Sequence, residues 1–208
     1  MHRKIIQKLT LVCAVLLLAG AASARADFGE LTVLNGKAIV ERAGGIIEVS
    51  GKIQLLDKDR IRTLAGSKAH VRLTGPPAGA EAIVTADTTF SVHELSRRQA
   101  VSPLRLLFGA IRSRVARSFR TVPFIGSPTA VVGIKGTDFI VYVKKQTATE
   151  FIGVDGLIEA ESRSRPEYAI RIGRRQWGEI VEGEKPKPPV RVPDEVWEAA
   201  LKEFSFPG

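Results

Sequence analysis

Cysteine is almost missing from this sequence. Its one copy, Cys13, lies inside the apolar run from Leu9 to Ala22. Without a second cysteine the chain cannot close a disulfide on itself. From Asp27 onward it offers no thiolate nucleophile and no sulfur ligand for a metal. Val12 precedes Cys13 and most of the apolar run follows it, which does not suit a lipid-modified cysteine. Histidine is scarce too: of three, only His70 and His93 follow the first 26 residues. Neither His-x-His nor His-Glu-x-x-His occurs, so the usual zinc spacings are lacking. There is no Gly-x-x-x-x-Gly-Lys-Ser/Thr phosphate loop, no Gly-x-Gly-x-x-Gly opening a helix and no Gly-x-Ser-x-Gly elbow. These absences point away from an enzyme and leave no cofactor implied. Carboxylate pairs such as Asp57/Asp59 and Glu159/Glu161 read as solvated turns and strand faces.

Acidic residues are missing from one long stretch. Between Glu94 and Asp138 there is none, while Arg97, Arg98, Arg105, Arg112, Arg114, Arg117, Arg120 and Lys135 all fall there. Guanidinium forks match carboxylate and phosphate groups. Arg105, Arg112, Arg114, Arg117 and Arg120 are therefore candidate anion-binding residues for an anionic glycan, a lipid head group or an acidic partner. The other reading is an ordinary solvated face, with acids from neighbouring strands close in space.

A run long enough to span a bilayer, roughly 20 apolar residues, is also lacking. What stands at the start is a basic front end (Arg3, Lys4, Lys8), the short apolar run, and Ala24-Arg25-Ala26. That order predicts a secretory signal peptide over residues 1–26, cut after Ala26. The alternative is a retained anchor, which would still place the remainder outside the cytoplasm. The expected location is periplasmic or secreted, with no transmembrane helix in the mature chain. Removing the segment takes four basic residues and no acid from the 31 basic and 22 acidic side chains, leaving a formal charge of +5. So modest an excess on an exported chain argues against a nucleic-acid partner. With no disulfide available, the remaining 180 or so residues must build a substantial apolar core.

From Phe28 onward the texture is β. Short Val, Ile and Leu runs recur every 8–12 residues, which predicts a multi-stranded sandwich, a barrel or a β-solenoid. Asn35-Gly36 and Asp155-Gly156 read as hairpin turns. "LRLLFGAIRSRV" fits helical and strand spacing about equally, and its β surroundings favour strands. In "SPTAVVGIKGTDFIVYV" (127–143) the apolar phase changes. Ala130, Val132 and Ile134 share one parity, and Phe139, Val141 and Val143 share the other. A bulge or corner at Gly133–Gly136 would do this. Ile140 and Tyr142 make the second half apolar on both faces. The Pro-rich 184–193 predicts an extended linker without ladder pairing. In 194–208, Asp194 can cap a short amphipathic helix whose stripe is Val196, Trp197, Ala200, Leu201 and Phe204. The expected organisation is thus a signal peptide (1–26), a β domain (27–183), a linker (184–193), and a helix and tail (194–208).

The 127–143 stretch resembles the signature of the FecR domain family: Thr-Pro, a small residue, hydrophobics, then Val-Arg-Gly-Thr-x-Phe entering a strand. Ser127-Pro128 stands for the Thr-Pro, and Ile134-Lys135-Gly136-Thr137-Asp138-Phe139 for the core, with Lys135 in the usual arginine position. "KDRIRT" (58–63), "LRLLFGAIRSRV" (104–115), "VDGLIEAES" (154–162) and "IRIGRRQWGEIVEG" (170–183) resemble flanking family segments in order. The resemblance runs roughly from Leu31 to Gly183. It implies an all-β, non-enzymatic domain outside the cytoplasm that takes part in signalling or protein binding. It also implies that Pro128, Gly133, Lys135, Gly136, Thr137 and Phe139 are structural signature residues. The family's namesakes join such a domain to a cytoplasmic anti-sigma segment. At most eight residues precede the apolar run here, so the expectation is a stand-alone exported module with an envelope-protein partner. Lys135 is expected to pair with a carboxylate such as Asp155 or Glu159.

Overall fold

Alternation of buried and less buried residues, as in Arg60–Thr63 and Ile158–Ser162, marks many of the strands of this chain. The computed structural model describes residues 27–74, 79–93, 102–115, 122–134 and 137–207. The expected signal peptide lies outside them. The first half holds β1 (Asp27–Asn35), β2 (Ala38–Arg42), β3 (Gly45–Val49), β4 (Lys52–Leu56), β5 (Arg60–Thr63), β6 (Lys68–Leu73), β7 (Glu81–Val84) and β8 (Thr89–Val92). The long β9 (Leu104–Arg114) follows. Then come β10 (Val122–Gly126), β11 (Ala130–Ile134), β12 (Asp138–Lys145), β13 (Ala148–Asp155), β14 (Ile158–Ser162), β15 (Ala169–Ile172), β16 (Gln176–Val181) and β17 (Val190–Arg191). A helix, α1 (Asp194–Glu203), and a short tail end the described chain. Among the described residues no helix is long and apolar enough to cross a membrane.

The pairings sort these strands into two layers. Layer A runs β4-β1-β6-β7-β9-β12-β13-β16-β17. Layer B runs β3-β2-β5-β8-β9-β10-β11-β14-β15. Among the described strands, pairing is antiparallel except between β9 and β10. Period-2 side chains from both layers meet in one core that includes Leu31, Val71, Phe139 and Phe151 from layer A and Ile61, Phe90, Phe124 and Ile170 from layer B. The all-β expectation thus takes its sandwich form.

Strand β9 belongs to both layers. Leu104–Phe108 pairs with β8 in layer B, and Gly109–Arg114 pairs with β12 in layer A. Gly109 makes the crossing at φ +92°, where a Cβ would lie 2.5 Å from the Thr88 α-carbon. Thr88 Oγ1 accepts the Ala110 N–H at 3.0 Å, and Thr63 Oγ1 donates to the Thr85 carbonyl at 2.6 Å. The bend also explains the mixed periodicity. Leu104 and Leu106 face the core before it, Ile111 and Val115 after it, and the phase slip between them imitates helical spacing.

Both Asn-Gly and Asp-Gly turns differ from expectation. Asn35-Gly36 joins β1 in layer A to β2 in layer B, and Asp155-Gly156 joins β13 in layer A to β14 in layer B. Neither makes a hairpin. Both glycines have positive φ, +72° at Gly36 and +77° at Gly156. The residue pair fixes a tight local turn, whereas long-range pairing decides the partners of each strand. Ala43-Gly44 does close a two-residue hairpin, with Arg42 opposite Gly45.

A second apolar cluster lies on the outer surface of layer A. Ile83, Ala110, Ile140, Ile152 and Val154 meet Trp197, Ala200 and Phe204 there. This is why Phe139–Val143 is apolar on both sides: one face looks into the sandwich and the other lies under α1. Two details differ from the sequence reading. Pro193, not Asp194, occupies the N-cap, and Asp194 stands in the first turn, where its carboxylate pairs with Arg175. Val196 faces solvent. The Pro-rich stretch also pairs briefly, Val190 with Trp177 and Arg191 with Gln176.

Candidate functional site

The signature begins with a buried hydroxyl rivet. Ser127 Oγ accepts the Ala130 N–H at 3.0 Å and lies 2.8 Å from Thr149 Oγ1. Thr129 Oγ1 lies 2.7 Å from the same Thr149 oxygen and donates to the Ile180 carbonyl at 3.1 Å. Ser127 and Thr129 stand at the β10–β11 turn of layer B, while Thr149 and Ile180 belong to layer A. Pro128 sits between two hydroxyl residues that pin one layer to the other. Buried hydroxyls must be satisfied, and here they satisfy one another. Gly133 lies within β11, opposite Pro123 and Glu159. The change of layer, and with it of phase, falls between Ile134 in β11 and Asp138 in β12. Thr137 is buried and its carbonyl accepts the Val115 N–H at 2.9 Å. Phe139 is fully buried in the main core. Lys135 and Gly136 lie outside the described residues, and with them the expected pairing of Lys135; of the two carboxylates expected for it, Glu159 pairs with Arg171.

Beyond the signature, Asp138 anchors a chain of charges across the outer face of layer A. Arg112 grips it with both prongs, Nε to Oδ1 and Nη2 to Oδ2, each at 2.7 Å. Arg114 Nε donates to Asp138 Oδ2 at 3.3 Å, and its Nη1 to Glu81 Oε1 at 3.3 Å. The other Glu81 oxygen lies 3.0 Å from His70 Nε2. The tail after α1 closes over this row. Arg112 Nη1 donates to the Phe204 carbonyl at 3.2 Å, and the Phe206 ring lies under Arg114 (4.1 Å) and Arg112 (5.2 Å), edge-on to His70. Every carboxylate oxygen in the row already has a cation or ring-nitrogen partner. Its chemistry is that of a lock between strands and tail, not of a general acid or base. Tyr142, under the same cover, has its hydroxyl pushed up to about 12 by burial, then by Glu203 and Glu150.

The structure separates the arginines of the acid-free stretch. Arg112 and Arg114 face outward from layer A. Arg105 precedes the Gly109 crossing and faces outward from layer B, beside Ser91 and Gly126. Arg97, Arg98, Arg117 and Arg120 lie outside the described residues. His93 is half-buried near Arg105, and Ser91 Oγ lies 2.9 Å from its Nε2. Burial lowers the His93 pKa from its ordinary 6.5; Asp57 opposes this, and Arg105 and Lys58 add to it. Among the described residues no group of three or more His, Cys, Asp or Glu could hold a metal ion. Sequence reasoning missed Asp138, Glu81 and Phe206. A signal for Asp138 was present: a carboxylate between Thr137 and Phe139, in a run buried on both faces, needs a cation beside it.

These features define a two-layer, all-β module in which the Asp138 row on layer A is mutually satisfied and Ser127 and Thr129 pin one layer to the other. Residues 59–159 match the family described as FecR protein. Two crystal structures of a proposed anti-sigma factor from Parabacteroides distasonis ATCC 8503 share the fold. One has TM-score 0.52 at 17% identity, covering 68% of this chain and 64% of that one. The other has TM-score 0.50 at 18% identity, covering 68% and 63%. The aligned region thus spans under two thirds of those solved chains, and at such identity the likeness is one of fold. No protein of curated function matches the chain.

Proposed function

We propose that this chain is an exported, non-catalytic FecR-domain module that acts by binding a protein partner in the cell envelope, in sensing or assembly. The observation that carries this reading is the FecR match over residues 59–159, on a fold shared with proteins described as anti-sigma factors. The leader-like residues 1–26 support export. The polar clusters support binding rather than chemistry, since the Asp138 row and the Ser127–Thr149 rivet hold the fold together. A single arginine-rich face made from Arg105, Arg112, Arg114, Arg117 and Arg120, binding anionic glycan or lipid, has less support. Strand β9 carries Arg105 and Arg112 to opposite outer surfaces.

Crosslinking in intact cells, followed by binding of the purified pair, tests this reading. One envelope protein recovered reproducibly, and binding the purified module saturably, is the expected result. Recovery of no specific partner under native conditions counts against it. Fractionation with N-terminal sequencing tests export: the mature chain is expected outside the cytoplasm, starting at Asp27.

A further inference from the structure

The outer face of layer B carries a feature that the interaction reading does not use. Its outward-facing row crosses the sheet as Ser91, Arg105, Gly126, Val131 and Glu161. Arg163 follows the end of β14 and lays its side chain back across this row. Its Nε donates to the Ser127 carbonyl at 2.6 Å. Its Nη2 comes to rest over Gly126, only 2.7 Å from where a Cβ on that residue would be. Gly126 does not have positive φ, so the backbone there does not require glycine. The missing side chain instead leaves room for the guanidinium.

That room sits beside Arg105, which is registered directly with Gly126. Arg105 thus leaves the sheet on the same outer face, next to the spot that Arg163 covers. Among the described residues neither has a carboxylate within ion-pair distance. Glu161, two strands along the same row from Gly126, pairs with neither. Burial and then the charge of Arg105 both pull the Arg163 pKa down. Ser102 Oγ lies 3.5 Å from the same Cβ position and adds a hydroxyl. Bringing two cations together costs free energy unless an anion joins them. Two guanidinium forks balance a dianion, which a phosphate group supplies and a single carboxylate does not.

We infer that Arg105, beside Gly126, and Arg163, laid over it, form a binding site for a phosphate group, either a free phosphate or the phosphomonoester of a lipid head group. This goes beyond the protein-partner reading and stands or falls without it.

Gly126→Ala gives a clean test. Its Cβ meets the flexible end of Arg163 rather than backbone, so the fold is kept while the guanidinium is displaced. The purified protein is titrated with inorganic phosphate at constant ionic strength, following the arginine Nε–H resonances by NMR. Saturable shifts at Arg105 and Arg163 are expected, with binding about tenfold or more weaker in Gly126→Ala and in Arg105→Gln. Arg171→Gln, which removes a cation already paired with Glu159, should leave binding unchanged. Vesicles of phosphatidic acid, compared with phosphatidylcholine, separate the sources. Retention on phosphatidic acid that Gly126→Ala abolishes identifies a lipid head group, and binding of inorganic phosphate alone identifies the free anion. The proposal is overturned if phosphate shifts nothing saturably, if the variants bind as the parent does, or if acetate binds as tightly. Should Gly126→Ala lose its fold, Arg105→Gln carries the same test from an exposed side chain.

Discussion

Asp138 and its two arginines show how much one carboxylate can organise. Arg112 and Asp138 are both nearly out of solvent, at 7% and 8% exposure, and their forked pairing repays a desolvation that neither could bear alone. Truncating one partner strands the other. Asp138→Ala should therefore cost about 3–5 kcal/mol, read by urea denaturation. The paired replacement Arg112→Met with Asp138→Leu should recover most of that loss, because it removes the stranded charge with the pair. If Asp138→Ala costs no more than an exposed ion pair, under about 1 kcal/mol, the row is decoration rather than a lock. Little of this was legible beforehand. The sequence shows Asp138 among apolar residues and Arg112 on an alternating strand. Their meeting depends on β9 and β12 lying side by side, with Arg114 opposite Asp138, and no local pattern encodes that register. Arg163 and Gly126 were silent for the same reason: their contact spans 37 positions and two strand pairings.

Elements were easier to read than their partners. Alternation located most strands, and the apolar stripe located α1, because both depend on periods of two and 3.6 within one segment. The doubly apolar run Phe139–Val143 was visible as well. Its cause, a helix laid on the outer face of layer A, required the fold. Strand β9 is the case where local pattern misleads, since its halves serve different layers and its inward residues change phase at Gly109. A side chain at Gly109 would meet the Thr88 backbone and be held at φ +92°. Gly109→Ala should accordingly cost roughly 2–4 kcal/mol, from the left-handed backbone and from overpacking together. Thermal melts of the parent, Gly109→Ala and Gly44→Ala settle this. Gly44 also has positive φ but nothing within 4 Å of its Cβ position, so its variant should lose only the smaller, conformational part. Equal losses at both positions would mean that the crossing adds no packing constraint.

At the scale of the molecule, β9 ties the two layers and the two halves of the chain into one unit. Strands β1 to β8 precede it and β10 to β17 follow, yet both groups contribute to the one cluster between the layers. Leu31 on β1 and Phe151 on β13 are each fully buried and belong to opposite halves of the sequence. Were the halves independent, truncating one residue would weaken only its own half and split the unfolding curve. A shared core and a shared strand predict otherwise. Leu31→Ala should cost about 2–5 kcal/mol and Phe151→Ala about 3–5 kcal/mol. Each should lower the urea midpoint of one transition without changing its slope, because the surface exposed on unfolding stays the same. Far-ultraviolet circular dichroism reports the sheets, and fluorescence of Trp177 and Trp197 reports the outer face of layer A. The two probes should trace the same curve in parent and variants. A second transition in Leu31→Ala, seen by circular dichroism but not by tryptophan fluorescence, would show that the first eight strands unfold separately and that β9 is a linker between two units.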